Sequence, residues 1–171
     1  MKRLAILRHA KSSWDDANVD DFNRPLNERG WKAARRMGRE LKHRNMHFDL
    51  VIASTAARVR ETLDGLQEKY DFAAPIRFEP EMYGASAEVL LSLIRALPEK
   101  VDAPLFVGHN PGLERLIVEL TRDDENGLRR RISAGLPTGA LTVMEMSGEG
   151  WADVAPGKGR IVELILPKAL D

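Results

Sequence analysis

The sequence contains no cysteine, few aromatic residues and no excess of charge of either sign. The absence of cysteine excludes disulfides, thiolate catalysis and cysteine-ligated metal sites. The 26 basic and 26 acidic side chains cancel, so no overall field would attract nucleic acid or an anionic membrane. There is no apolar run of membrane-spanning length, and the N-terminus lacks the pattern of a signal peptide. These absences favour a cytoplasmic protein without nucleic-acid or membrane partners.

Short apolar runs alternate along the chain with segments in which apolar residues recur at helical spacing. Its 171 residues suit a single domain, 1–171, with a core of its own. Runs at 4–7, 49–53 and 105–107 predict buried strands, and 75–78 predicts a weaker one. The last two runs, 141–146 and 160–166, flank a glycine-rich connection and predict a hairpin. This order predicts an α/β fold, a three-layer α/β/α sandwich with a mostly parallel central sheet and the hairpin at one side.

Capping residues predict where three of the helices begin. Asn27 and Ser86 precede segments with apolar residues at helical spacing, and each can accept a hydrogen bond from the first turn. Asn110 is predicted as a third N-cap, with Pro111 as the first helical residue. The polar stretch 12–25 is predicted to be a loop, and 121–137 a loop or short helix.

Polar residues follow three of the predicted buried strands. Arg8 and His9 follow the first strand, the segment 54–58 with Arg58 follows the second, and His109 follows the run that ends at Val107. Parallel strands place their carboxyl ends on one rim of the sheet, where ligands bind in folds of this class. Helix N-termini point unpaired N–H groups toward the same rim. Two arginines and two histidines without an obvious acidic partner predict an anion pocket, and the arginine fork suits a phosphoryl group.

Two other interpretations of the histidines remain open at this point. His9 and His109 could be metal ligands, but hydrolase metal sites usually add a carboxylate and flanking arginines would repel a cation. They could also be structural residues satisfied within the core. The sequence favours an anion site that uses neither a metal nor an organic cofactor.

Four motifs in order along the chain resemble those of the histidine phosphatase superfamily, which has the phosphoglycerate-mutase-like fold. They are Leu7-Arg8-His9-Ala10-Lys11-Ser12, Pro25-Leu26-Asn27-Glu28-Arg29-Gly30, Ser54-Thr55-Ala56-Ala57-Arg58 with Thr62, and Gly108-His109-Asn110-Pro111. The short length and the segment Pro137-Thr138-Gly139-Ala140 are most similar to the SixA-type phosphohistidine phosphatases.

The resemblance implies that His9 is the nucleophile and carries the phosphoryl group as a phosphohistidine until water removes it. It also implies that Arg8, Arg58 and His109 bind the phosphoryl oxygens. Cationic neighbours disfavour protonation of an imidazole, which agrees with the need for a neutral nucleophile. Glu81 falls where relatives place the general acid, and it is a candidate for that role. The alternative is that Glu81 is a surface residue without a catalytic role.

The sequence departs from the family pattern near Trp14. Many mutase-like relatives have a phosphate-binding Asn after that Trp, whereas this chain has Asp15, so that role is not carried over. Few residues separate Tyr83 from His109, which leaves little material for a cap over the pocket. An open pocket favours a phosphorylated protein as substrate.

The alternatives are a phosphatase of small phosphomonoesters, such as sugar or nucleotide phosphates, and a phosphoryl-binding module without turnover. The run Arg129, Arg130 and Arg131 could attract an acidic partner or be a solvated cluster. The oligomeric state is not indicated by the sequence.

Overall fold

The computed structural model describes residues 2–123 and 125–170, and its strands form one sheet. The strands are β1 (Lys2–Arg8), β2 (Leu50–Ala53), β3 (Ile76–Phe78), β4 (Pro104–Gly108), β5 (Leu141–Met146) and β6 (Gly159–Ile165). Their spatial order is β3-β2-β4-β1-β5-β6. The first four are parallel to one another, whereas β5 and β6 form an antiparallel hairpin at the β1 side. The mostly parallel sheet with a hairpin at one side is confirmed.

Helices cover both faces of this sheet. They are α1 (Glu28–His43), α2 (Ala57–Gln67), α3 (Ala87–Arg95), α4 (Gly112–Leu120) and α5 (Leu128–Ala134). On one face α1 packs against α2, and on the other α4 packs against both α3 and α5. The predicted three-layer α/β/α sandwich is therefore confirmed. Within the described residues, no helix combines the length and the apolar character needed to cross a membrane.

The alternation of side chains along β1 produces the two cores. Leu4 and Ile6 belong to the apolar cluster under α3, α4 and α5, and Ala5 and Leu7 belong to the cluster under α1 and α2. Successive strand residues point to opposite faces, so a strand covered on both faces is apolar at every position. The strand therefore lies inside the sheet, between β4 and β5, and its last residue is Arg8.

Two of the three predicted helix caps are confirmed. The side chain of Asn27 accepts a hydrogen bond from the backbone N–H of Gly30, and that of Ser86 accepts one from Val89. The prediction for Asn110 was wrong by one residue, because α4 begins at Gly112 with Pro111 in the cap position. Asn110 Oδ1 nevertheless accepts a hydrogen bond from the N–H of Glu114, so its side chain still serves the first turn of α4.

Candidate active site

Three neighbouring strands end side by side on one rim of the sheet. In the parallel register Arg8 of β1 lies opposite Gly108 of β4, and Ala53 of β2 lies opposite Val107. The next backbone groups continue this pairing: His9 N donates to Gly108 O at 3.0 Å, and Ser54 N donates to Val107 O at 3.0 Å. The two histidine rings lie 5.3 Å apart, centroid to centroid. The rim therefore brings together side chains that are about a hundred residues apart in sequence.

His9 is held in the tautomer that a nucleophilic imidazole needs. Its Nδ1 lies 2.7 Å from the carbonyl oxygen of Ala10, and a carbonyl can only accept, so Nδ1 carries the proton. The lone pair is therefore on Nε2. Burial, together with the charges of Arg58 and Arg8, lowers the pKa of His9 to about 4, although the bond to Ala10 opposes the shift. The ring is neutral at physiological pH.

His109 is neutral for the same reasons. Burial, together with the Arg58 charge and His9, lowers its pKa to about 3. Its Nε2 lies 2.8 Å from the hydroxyl of Ser54, which follows β2 on the same rim. This contact sets the orientation of the ring next to His9.

The arginines supply the positive charge of the pocket. Arg58 is buried in the first turn of α2, and its charge acts on both histidines. Arg8 donates from Nη1 to Leu136 O at 2.8 Å, and burial lowers its pKa although the Glu114 carboxylate opposes the shift. Arg24, which sequence reasoning did not select, also acts on both imidazoles. Three guanidinium charges therefore act on His9, and those of Arg58 and Arg24 act on His109 as well.

Buried donors without partners are concentrated in this pocket. Within the described part of the chain, five buried side-chain polar atoms have no hydrogen-bond partner, and four of them are Arg8 Nε, Arg24 Nε, Arg58 Nε and His109 Nδ1. Native proteins pair nearly all buried polar groups, and each unpaired group costs about 1–3 kcal/mol. Three of these atoms belong to guanidinium cations, and unpaired cationic donors of this kind fit a multiply charged oxyanion.

The expectation of arginines without an acidic partner was wrong for Arg58, because Asp21 pairs with Arg58 and also with Arg24. Its Oδ2 lies 3.1 Å from Arg58 Nη2, and its Oδ1 lies 3.2 Å from Arg24 Nη2. The hydroxyl of Tyr83 donates to the same carboxylate at 2.6 Å. This hydrogen bond and the two arginines lower the pKa of Asp21 to about 2. Asp21 comes from the 12–25 stretch, which has no pattern that would place it against α2.

That stretch is an ordered loop with a short 3-10 helix at Asp21–Asn23. The guanidinium carbon of Arg24 lies 3.7 Å from the centre of the exposed Trp14 ring, a stacking contact, and Arg24 also donates to the Ser12 hydroxyl. Ser12 in turn pairs with Leu26 in an isolated antiparallel bridge. These contacts hold the loop over one side of the pocket.

Thr62 connects the backbone after His9 to helix α2. Its hydroxyl accepts from the N–H of Ala10 at 2.9 Å and donates to Arg58 O at 2.6 Å. Gly30 supports the same backbone from α1, because a Cβ at that position would lie 2.1 Å from Lys11 O. The threonine and glycine of the family motifs thus position the chain that carries the nucleophile.

Glu81 lies in the 3-10 helix Pro80–Met82, with an exposed side chain. It makes no hydrogen bond or ion pair with any residue that the structure describes. The neighbouring Tyr83 instead reaches the site, with its ring 5.6 Å from that of His109 and 5.1 Å from that of Phe22. The role of Glu81 as general acid remains a prediction.

Neither the arginine run nor a metal cluster adds to this pocket. Arg129 donates to Val118 O and pairs with Asp123, which fastens α5 to α4, and Arg130 and Arg131 are exposed. No group of three or more potential metal ligands among His, Cys, Asp and Glu occurs in residues 2–123 and 125–170.

Comparison with known proteins agrees with this geometry. The model of the histidine phosphatase superfamily (branch 1) matches residues 4–90. An uncharacterised protein of Mycobacterium tuberculosis is 33% identical over 164 residues, which cover 95% of this chain and 100% of the relative.

Two solved structures are similar over nearly their whole length. Both proteins are provisionally designated phosphohistidine phosphatase SixA. The one from Agrobacterium tumefaciens is 32% identical with a TM-score of 0.81, covering 97% of this chain and 98% of its own. The one from Nakamurella multipartitia is 29% identical with a TM-score of 0.83, covering 97% and 96%. The expected phosphoglycerate-mutase-like fold is confirmed. The chain belongs to the histidine phosphatase superfamily and is a phosphatase.

Proposed function

We propose that the protein removes phosphoryl groups from phosphohistidine on proteins through a phosphoenzyme intermediate on His9. The observation that carries this proposal is the state of the His9 ring: Nδ1 is bonded to Ala10 O, the pKa is about 4, and three guanidinium groups lie nearby. The ring has a free lone pair on Nε2 at neutral pH, in a field that favours a phosphoryl dianion.

In the first step the Nε2 lone pair of His9 attacks phosphorus, and the bond from phosphorus to the substrate nitrogen breaks. When the substrate imidazole carries a proton on its other nitrogen, it departs as a neutral ring. His9 then holds the phosphoryl group on Nε2 and retains its proton on Nδ1, where the Ala10 carbonyl accepts it. Arg8 and Arg58 donate to the equatorial oxygens, whose charge they stabilise during transfer.

In the second step water attacks phosphorus and the bond to His9 Nε2 breaks. The two protons of water go to the phosphate product, which leaves as the monoanion, and His9 returns to its neutral form. His109 donates a hydrogen bond to a phosphoryl oxygen in both steps, held in place by Ser54. Neither step requires a metal or an organic cofactor.

The choice of phosphohistidine rests on the leaving group and on the shape of the rim. A neutral imidazole is a good leaving group and needs no strong acid, which agrees with an exposed Glu81. Between β3 and β4 the chain forms only one 3-10 helix and α3. This leaves the side of the pocket open to a protein-borne ring, and the similarity to the two SixA structures supports the same substrate class.

A substrate panel on the wild type and on His9→Ala tests the proposal. The panel contains a phosphohistidine peptide, sugar phosphates, nucleoside monophosphates and an aryl phosphate. We expect the highest kcat/KM for the phosphohistidine peptide and no turnover of any member by His9→Ala. A preference for a sugar or nucleotide ester would reassign the protein to small phosphomonoesters. Tight phosphate binding without hydrolysis of any member would indicate a binding module.

A further inference from the structure

A groove lined with basic side chains runs beside the active site, and we call it the basic groove. It has a volume of about 570 Å³ and lies between α1, the 137–138 segment and the C-terminal 3-10 helix, Pro167–Leu170. Five cationic side chains line it, namely Lys11, Arg29, Lys32, Arg36 and Lys168. Within the described residues, no carboxylate lines it.

The helical spacing of α1 produces this concentration of charge. Arg29, Lys32 and Arg36 follow one another at intervals of three and four residues, which places them on one face of the helix. Lys11 and Lys168 approach from the two other segments. The whole chain has no net charge, so the basic groove is a local segregation of charge and not part of a general surplus.

Four of these cations are available to a ligand. Among residues 2–123 and 125–170, the side chains of Lys11, Arg29, Lys32 and Lys168 form no ion pair and no hydrogen bond, and all four are exposed. Other cations of α1 are paired within the protein: Arg35 pairs with Glu68, and Arg44, which follows the helix, pairs with Glu40. The distinguishing feature of the basic groove is that its available cations line one concave surface together.

The segment 136–139 borders the basic groove and also contacts the catalytic residues. Pro137 and Thr138 line the groove. The residues on either side of them contact the catalytic residues: Leu136 O accepts from Arg8 Nη1, and Gly139 N donates to His9 O at 2.9 Å. Lys11 lies two residues after the nucleophile, which limits the distance between their Cα atoms to about 7 Å.

We infer that the basic groove docks an acidic segment of the phosphorylated polypeptide whose phosphohistidine enters the pocket. The inference rests on the proposed function and adds to it the part of the partner that is recognised. The carboxylates of an extended acidic segment would pair with the four available cations. The methylene groups of the same acidic side chains would pack on the apolar part of the lining, which is formed by Ala33, Leu166 and Pro167. A nucleic acid fits less well, because no aromatic side chain among the described residues lines the groove to stack against bases.

The test compares two variants with the same change of charge. The groove variant is Arg29→Glu/Lys32→Glu/Lys168→Glu. The control variant is Lys69→Glu/Lys100→Glu/Lys158→Glu, whose positions are exposed and lie at the opposite end of the sheet, after α2 and before β4 and β6. The substrates are two synthetic peptides with one phosphohistidine, followed by glutamates in one and by glutamines in the other. An aryl phosphate reports basal activity, and thermal unfolding reports the fold.

For the wild type we expect a higher kcat/KM with the glutamate peptide than with the glutamine peptide. The kcat/KM of the groove variant for the glutamate peptide should be about tenfold or more below that of the wild type at low ionic strength, because opposite charges steer association. Its aryl phosphatase activity should not change, and the control variant should keep both activities. Equal wild-type kcat/KM values for the two peptides, or an equal loss in the control variant, would overturn the inference.

Binding of the unphosphorylated glutamate peptide, measured by fluorescence anisotropy, separates this inference from the proposed function. If neither phosphopeptide is hydrolysed, the proposed function fails, while loss of peptide binding in the groove variant alone still supports the docking surface. Absence of binding to the wild type overturns the docking surface. A labelled single-stranded oligonucleotide that binds the wild type more tightly than the peptide would overturn it in favour of a nucleic-acid partner.

Discussion

Acidification is the perturbation that most directly probes the His9 environment. Burial and the neighbouring guanidinium groups lower the pKa of His9 to about 4 from 6.5. At pH 5 an imidazole with this pKa is ~90% neutral, whereas an unperturbed imidazole is only ~3% neutral, a ratio of about 30. Because His109 has a pKa of about 3, it is also neutral at this pH. The enzyme should therefore keep most of its nucleophile at pH 5.

The assay is the pH profile of kcat/KM for an aryl phosphate, corrected for the ionisation of the substrate, since this profile reports the free enzyme. We expect the acid limb of the corrected profile near pH 4. A nuclear magnetic resonance titration of the His9 ring, assigned by comparison with His9→Asn, should show the same pKa. A limb near pH 6.5 together with a ring that titrates there would refute the proposed origin of the neutral nucleophile.

Three substitutions probe the surrounding residues. Arg58→Ala removes a donor to the transferring group and should lower kcat/KM by roughly 10²–10³, as for other oxyanion donors; an unchanged value would exclude Arg58 from that role. Asp21→Asn removes the carboxylate that competes for Arg58 and should lower the Ki of inorganic phosphate by about threefold, a modest change because the Asp21 side chain is half exposed; weaker inhibition would contradict competition. Thr62→Val leaves the N–H of Ala10 unpaired and should reduce the free energy of unfolding in urea by about 1–3 kcal/mol. Thr62→Ser keeps the hydroxyl, so its free energy of unfolding should fall by less than that of Thr62→Val.

Sequence periodicity predicts the fold well because burial dominates it. The run Leu4-Ala5-Ile6-Leu7 is apolar at every position, and each residue is buried on one face or the other. The positions of His9 and His109 on one rim follow from the parallel strands. Helix boundaries near caps are also local, which is why Asn27 and Ser86 were predicted correctly. The start of α4 differed by one residue because Pro111 occupies the cap itself.

The loop side of the pocket could not be predicted in the same way. Asp21 reaches Arg58 across 37 residues and Tyr83 across 62, and these contacts depend on the path of an aperiodic loop. Arg24 similarly lies in a polar stretch and is identified only by its contacts with Trp14 and Asp21. The charge of Asp21 was visible in the sequence, but its partners were not. A pocket described from motifs alone therefore omits one carboxylate, that of Asp21, and one guanidinium group, that of Arg24.

The most direct test of the phosphoenzyme is to trap it. The wild type is mixed briefly with a substrate that carries radiolabelled phosphoryl groups, quenched in alkaline detergent to preserve phosphohistidine, digested and mapped. Label on the peptide that contains His9, its absence in His9→Asn, and its disappearance on a longer chase with unlabelled substrate are the predicted results. Turnover of the labelled substrate with no label on His9, or with the same label in His9→Asn, would contradict a covalent intermediate at this residue.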